Sequence, residues 1–392
     1  MRLPTRLDRY PAKMVGRLAD DLIARYAKDA TRLLDPFCGS GAVLRAASQA
    51  GIPVAGVDIN PVGVLLTGTK LRGFDADVAR EIAESAIARA IATRKPATIA
   101  WVGKSYWFTP RTLDKLERLR TGFLATQDAP DYERAAVLLS LALSVRLCSK
   151  ADQRSPKPFI SAAAREARRG RHYDPYSLVR NTLAELSSLY GGRQAEVTAT
   201  VLMADFVRDQ AIRAKIGKYS HVITSPPYIN AQDYFRNFKL ELSVLEGLLP
   251  FRVEAMKDKF IGTDRGELSA GIEEVRLVQF RKMVRGLRSM ERRSPRLAAV
   301  VHRYLDDMDS AFEAITSGLK SGGQFVLVCG DNLVAGLRIR TWEVLQEMLI
   351  ARGFAAVDTF RDRIRDRLLA PKRSGHKGLI KEEVVCCYER RK

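Results

Sequence analysis

The 392-residue chain is short of cysteine, with five, and shorter still of histidine, with four. Cys38, Cys148, Cys329, Cys386 and Cys387 form no Cys-x-x-Cys pair with partner histidines, so no structural zinc or other metal site is expected. That usage reads as a reduced, cytoplasmic protein. His172, His221, His302 and His376 fall in no common motif, and none is assigned a role. Long apolar runs are also missing. The longest, around Ala135 to Leu147, is broken by Ser140, Ser144 and Arg146, and is too short and too polar to span a bilayer. The N-terminal residues contain no apolar signal core. There is no internal repeat and no low-complexity tract.

Acidic residues are outnumbered. With 65 Lys and Arg against 45 Asp and Glu, the net charge is +20. Such an excess implies a polyanionic partner, most simply nucleic acid. One cluster comprises Arg276, Arg281, Lys282, Arg285, Arg288, Arg292, Arg293, Arg296 and Arg303, with little acidic compensation nearby in sequence. A second runs through Arg154, Lys157, Arg165, Arg168, Arg169 and Arg171, interleaved with Phe159, Tyr173 and Tyr176. A third spans 361–381 and includes Lys372 and Arg373 in a loop punctuated by proline and glycine. A charge run is often only a solvated face, but Arg285, Arg288, Arg292, Arg293, Lys372 and Arg373 are the candidates for phosphate contact.

Two strand ends carry the chemistry. Leu33-Leu34-Asp35-Pro36-Phe37-Cys38-Gly39-Ser40-Gly41 reads as a buried strand entering a glycine turn, and Ala42 to Ala47 as a helix start. Glycine permits a positive φ, and the free N–H groups of a helix N-terminus favour an electron-rich group. A dinucleotide fingerprint would need glycine or alanine at Leu44, and the turn lacks the Gly-Lys-Ser/Thr end of a phosphate-binding loop. Pro53 to Asn60 is a second strand ending in an acid, Asp58, which can accept both ribose hydroxyls of an adenosine. Either NAD or S-adenosylmethionine suits it, and a plain strand-end aspartate is the alternative.

The second strand end is Thr224-Ser225-Pro226-Pro227-Tyr228, after the apolar His221-Val222-Ile223. Two prolines have no N–H to donate, so the chain must leave the sheet there. The carboxyl end of a strand is where open α/β sheets place ligands. A hydroxyl, a proline-linked carbonyl and an aromatic ring together can grip a flat base bearing an exocyclic amine. A Pro-Pro turn that merely closes a strand is the structural alternative. A third β-rich run, Val197 to Phe206, ends in Asp205-Phe206, where Asp205 would either meet a ligand or cap the following turn.

Asp35 to Gly41 with Asp58, followed by Ser225-Pro226-Pro227-Tyr228, resembles the S-adenosylmethionine-dependent amino-methyltransferases, which methylate cytosine N4 or adenine N6 in nucleic acid. The resemblance implies an α/β fold with a Rossmann-like class I methyltransferase sheet and helical insertions. It implies a donor site built from Asp35, Pro36, Phe37, Gly39, Gly41, Asp58, Ile59, Asn60, Asp205 and Phe206. Arg9-Tyr10-Pro11-Ala12-Lys13-Met14 is similar to the family's first motif, which adds Tyr10, Pro11 and Lys13; the usual histidine is Tyr10 here. It implies catalysis by Ser225, Pro226, Pro227 and Tyr228 on a base flipped out of double-stranded DNA, with a cognate restriction endonuclease as a further partner. Ser at 225 is typical of the cytosine-N4 enzymes, where Asp or Asn is typical of the adenine-N6 ones. Absence of any Pro-Cys dipeptide argues against thiolate attack on cytosine C5.

Two other readings stay open. A tRNA guanine-N2 methyltransferase would carry a similar glycine loop and Pro-Pro-Tyr turn, usually with Asp in place of Ser225 and with an RNA-binding domain ahead of the cofactor motif. A basic DNA-binding protein on a degenerate scaffold is the non-enzymatic reading.

These anchors predict the organisation. Residues 1–75 and 196–392 form the catalytic domain, 76–195 a mostly helical insertion that is a candidate for target recognition, and 246–300 a basic helical insertion. Helices are expected over Val15–Tyr26, from Thr109 as N-cap with Pro110 following, over Leu305–Leu319 with Gly322-Gly323 as the stop, and over Thr341–Arg352. Strands are expected at Gln324–Cys329 and Phe354–Phe360, and Glu383–Tyr388 closes the sheet as an antiparallel strand.

Overall fold

A computed structural model describes residues 14–155, 157–167, 173–192, 197–229, 234–263, 271–363 and 382–391. Tyr10, Pro11, Lys13, Lys372 and Arg373 lie outside the described residues. The chain divides into two compact units. Among the described residues, one comprises 14–59, 197–234 and 257–391 and contains the sheet; the other comprises 60–192 and 235–256.

The strands are β1 (Leu33–Asp35), β2 (Val54–Asp58), β3 (Ala199–Met203), β4 (Tyr219–Thr224), β5 (Leu319–Cys329), β6 (Asn332–Val334), β7 (Leu337–Ile339), β8 (Phe354–Arg363) and β9 (Glu382–Arg390). Seven of them form one sheet in the order β3-β2-β1-β4-β5-β9-β8, and β6 and β7 form a small antiparallel pair. β1 to β5 are parallel; β9 runs antiparallel to both its neighbours. The fold is therefore α/β with a mostly parallel, Rossmann-like sheet. The central strands are short, unbroken apolar runs because both faces are covered, as parallel sheets require. Every residue of β1 is buried, whereas the edge strand β3 buries only Val201.

β9 does not close the sheet as expected. It inserts between β5 and β8, which leaves β8 as the edge. Six of its residues pair with β5 and nine with β8, so the apolar Val384 to Tyr388 is covered by strands on both sides. The helix expected from Leu305 begins much earlier and spans Pro295–Gly318. It ends at Gly318, where a Cβ would lie 2.5 Å from the Tyr219 hydroxyl. Gly322 and Gly323 fall inside β5 instead of stopping the helix. The sequence pattern misjudged this because the helix's first half carries Arg296 and Arg303 among its apolar positions. One core lies over the sheet of this unit, formed by residues such as Leu34, Val57, Val222, Tyr304, Phe312, Phe325 and Phe354.

The second unit is helical: Pro61–Arg72, Ala76–Ala92, Lys104–Trp107, Pro110–Leu124, Asp131–Cys148, Ala162–Ala167 and Pro175–Tyr190, with most of Tyr234–Leu245 and then Val253–Met256. Thr109 does cap its helix, accepting from the Thr112 N–H at 3.2 Å with Pro110 next. The 76–195 segment falls within the 60–195 stretch of this unit, which also takes in 235–256. Among the described residues no helix is long and apolar enough to cross a membrane.

Candidate functional site

The chain order of the sheet reverses between β1 and β4, which are hydrogen-bonded neighbours with Leu33 opposite His221 and Leu34 opposite Val222. Loops leaving the carboxyl ends of two such strands diverge and leave a crevice. The glycine turn leaves β1 there, and the Pro-Pro turn leaves β4.

Gly39 and Gly41 have φ of 48° and 74°, conformations that cost a side chain roughly 1–2 kcal/mol. Gly41 is the N-cap of the helix Ala42–Gln49. The turn is stitched to the end of β2: Cys38 N–H donates to the Val57 carbonyl at 3.0 Å, and Gly39 N–H donates to Asp58 Oδ2 at 2.7 Å. Asp58 is thus held in place, half-buried, by the loop it faces. Cys38 is buried, so it packs and is not exposed as a nucleophile.

Asp35 is 4 % exposed. Its Oδ1 accepts from the Thr224 hydroxyl at 2.7 Å and from the Phe37 N–H at 3.1 Å. Burial pushes its carboxyl up to about 7, against the lowering effect of those two bonds, and the Asp58 charge adds a smaller push in the same direction. Pro36 is buried and Phe37 packs partly buried against the core.

In the second turn Ser225 and Pro227 are half-buried, and Pro226 and Tyr228 are buried. Ser225 Oγ lies 3.4 Å from the Tyr228 hydroxyl, which donates to Glu383 Oε1 at 2.6 Å. Burial, then the Glu383 charge, raises the Tyr228 phenol well above its ordinary range, so it stays protonated at neutral pH. The turn is buttressed from behind. Asn332 Nδ2 donates to the Ile229 carbonyl at 3.1 Å, and Thr341 in turn donates to Asn332 Oδ1 at 2.8 Å. Gly262 also closes on it: φ is 79°, and a Cβ there would sit 2.7 Å from the Tyr228 carbonyl oxygen.

Three residues of this site were given no role by the sequence. Thr224 is the residue before the motif. Glu383 sits 155 positions downstream on β9. The Tyr234 phenol is raised by burial first, then by the charges of Asp58 and Glu383. Only Thr224 had a local signal, a buried polar residue at a strand end.

The remaining donor candidates make contacts of their own. Asn60 is buried and its side chain accepts from the Val62 N–H at 3.1 Å, the N-cap of the helix Pro61–Arg72. Asp205 takes the Val207 and Arg208 N–H groups on Oδ1 and the Arg208 guanidinium on Oδ2 at 2.8 Å, the capping arrangement. Arg208 reaches on to Asp307 at 2.8 Å. Ile59 is half-buried, and Phe206 lies in the core at 4 % exposure. Among the described residues no cluster of His, Cys, Asp or Glu could hold a metal ion.

The basic cluster is more compensated than its sequence neighbourhood indicated. Arg276 pairs with Asp306 at 3.0 Å and Asp309 at 2.7 Å, and Arg281 with Glu274 at 2.6 Å and Glu291 at 2.9 Å. The acids that neutralise Arg276 come from the long helix Pro295–Gly318, beyond a local reading. Arg285, Arg288, Arg292 and Arg293 are exposed, and among the described residues no ion pair engages them.

No protein-family model matches the chain. Over 391 aligned positions it is 22 % identical to the type II methyltransferase M.AvaI of Nostoc sp. strain PCC 7120, covering 86 % of this chain and 76 % of that protein. The M.AvaI sequence from Anabaena variabilis matches with the same figures. Among solved structures, the rRNA methyltransferase aviRa from Streptomyces viridochromogenes aligns over 98 % of this chain and 87 % of its own, at 11 % identity and a TM-score of 0.28.

Proposed function

We propose that the chain is an S-adenosylmethionine-dependent DNA methyltransferase acting on the exocyclic N4 amine of cytosine. One observation carries the reading. The Gly39–Gly41 turn with Asp58, and the Ser225–Tyr228 turn, leave the carboxyl ends of the adjacent parallel strands β1 and β4, where the chain order reverses. The similarity to the type II methyltransferases supports a methyltransferase.

The residues present fit the donor. Asp58, whose Oδ2 holds the Gly39 N–H, is the carboxylate placed to meet a ribose diol at the end of β2. Asp35, at about 7, is a carboxyl that a nearby cation would bring down and ionise. When bound, the donor supplies a methyl group on a positively charged sulfur. Everything else in the reaction is positioning. An aryl amine is a poor nucleophile because its lone pair is delocalised into the ring. Acceptors around its N–H bonds hold the nitrogen pyramidal and free that lone pair for in-line attack. Ser225 Oγ and the Pro226 carbonyl are those acceptors, and Tyr228 is the stacking surface for the extracted base. Orientation of amine and methyl is the enzyme's main contribution.

Arg285, Arg288, Arg292 and Arg293 are the described candidates for phosphate contact. The helical unit is the candidate for target recognition, and a restriction endonuclease acting on the same site is part of the proposal. Cytosine is chosen over adenine by Ser225. The test is methyl transfer to duplex DNA and to RNA, followed by digestion to nucleosides and mass spectrometry. N4-methylcytosine in DNA is the expected product. N6-methyladenine would overturn the base and keep the mechanism; methyl groups found only in RNA would overturn the substrate class.

A further inference from the structure

We infer that Glu383 is a positioning residue of this site: acting through the Tyr228 hydroxyl, it sets the direction of the Ser225 hydroxyl so that Ser225 offers lone pairs, not its proton, to the substrate amine. The inference rests on the amino-methylation reading above.

An ionised carboxylate only accepts hydrogen bonds, and a phenol has a single proton. At 2.6 Å from Glu383 Oε1, the Tyr228 O–H must point at the carboxylate, and the bond is a short, charge-assisted one. The Tyr228 oxygen can then only accept from its other neighbour. That neighbour is Ser225 Oγ at 3.4 Å, and among the described residues it is the only hydrogen-bond partner of the Ser225 side chain. The Ser225 proton is therefore drawn towards Tyr228. Its two lone pairs are left for another group, as an acceptor for an amine N–H requires. The polarity of the chain Ser225 to Tyr228 to Glu383 follows from the acceptor-only group at its far end.

The framework holds that group firmly. Glu383 is the second residue of β9, paired on one side with β8 opposite Asp362, and the next residue, Val384, pairs with Cys329 of β5. Tyr228 is fixed from the other side, where Gly262 and Asn332 brace the backbone at 228 and 229. Neither partner can drift without disturbing a strand.

Glutamine at 383 has nearly the same shape but offers an N–H₂ donor. It can feed a proton to the Tyr228 oxygen, which then donates to Ser225 and turns the Ser225 proton outward. The experiment measures donor affinity by calorimetry and single-turnover DNA methylation for Glu383→Gln, Tyr228→Phe and the double variant. Glu383→Gln should bind donor as the wild type does while methylation slows roughly 100- to 1,000-fold, the scale of one lost transition-state hydrogen bond. In the Tyr228→Phe background, where no hydroxyl remains to carry the effect, Glu383→Gln should change the rate by less than about 2-fold. Wild-type methylation by Glu383→Gln, or losses that multiply in the double variant, would overturn the inference. If Glu383→Gln fails to bind donor, Tyr228→Phe and Ser225→Ala decide it: combined, they must be no slower than Ser225→Ala alone. A wild-type protein that methylates no DNA amine would sink the proposed function itself, a different result from any of these.

Discussion

The Thr224 hydroxyl donates a 2.7 Å hydrogen bond to Oδ1 of Asp35, joining the last residue of β4 to the last residue of β1. These are the residues from which the two functional turns spring. Both are buried, so the bond is made away from competing water. It couples the glycine turn to the Pro-Pro turn through a group that itself titrates.

That coupling gives a pH dependence. The unfolded Asp35 carboxyl ionises near 3.8, and the folded one near 7. Between those values the folded state holds a proton that the unfolded state has released. Stability from Asp35 is fully present below about pH 4 and is lost as pH rises through 7. A shift of this size corresponds to about 4 kcal/mol. Asp35→Asn should flatten the fall in urea stability between about pH 4 and pH 7. A variant with the wild-type slope would show that another group is responsible. In the wild type, binding of the cationic donor should release protons near pH 7, seen as buffer-dependent heats in calorimetry.

Asp58 has an observed bond to the Gly39 N–H and a proposed role as ribose-diol acceptor, and two substitutions separate them. Asp58→Ala removes the diol acceptor and the bond to the Gly39 N–H, and should weaken donor binding by roughly 30- to 1,000-fold, or ~2–4 kcal/mol. Asp58→Asn can keep the Gly39 bond through its carbonyl oxygen while presenting N–H₂ to the ligand. It should still bind poorly if the diol is the target. Donor affinity close to wild type for a folded Asp58→Asn protein would reject the diol role.

Gly262→Ala tests the brace behind Tyr228. A residue held at φ 79° is strained by ~1–3 kcal/mol, and its Cβ would also press on the Tyr228 carbonyl oxygen at 2.7 Å. Melting should occur at a lower temperature, and methylation should suffer more than donor affinity. Equal losses of both would mean that the turn does not act separately from the donor site.

The surface arginines should not be equivalent. Neutralising Arg285, Arg288, Arg292 and Arg293 should lower the slope of log K against log salt by up to ~3–4, at ~0.9 per phosphate contact. Neutralising Arg276 and Arg281, which already have carboxylate partners, should leave that slope nearly unchanged. DNA-binding isotherms at several salt concentrations read both. An unchanged slope in the quadruple variant would place the DNA elsewhere.

The sequence alone determined whatever depends on a few neighbouring residues. Glycines at 39 and 41 announce a turn because only they take positive φ cheaply. Pro226 and Pro227 announce a strand end because neither can donate to a ladder. Thr109-Pro110 announces a helix start because a hydroxyl cap and a fixed φ belong there. What required the tertiary structure was every relation across the sheet. Nothing near residue 383 shows that its carboxylate will meet Tyr228, because that meeting depends on β9 entering between β5 and β8. Nor does a count of arginines reveal which ones acids on a distant helix neutralise. Asp35 illustrates both levels. Its place before a glycine turn was legible, but its raised carboxyl, and its tie to Thr224, follow from burial between parallel strands that are far apart in sequence. Burial and long-range pairing are properties of the assembled sheet, since they set the solvent and the neighbours that local sequence cannot encode.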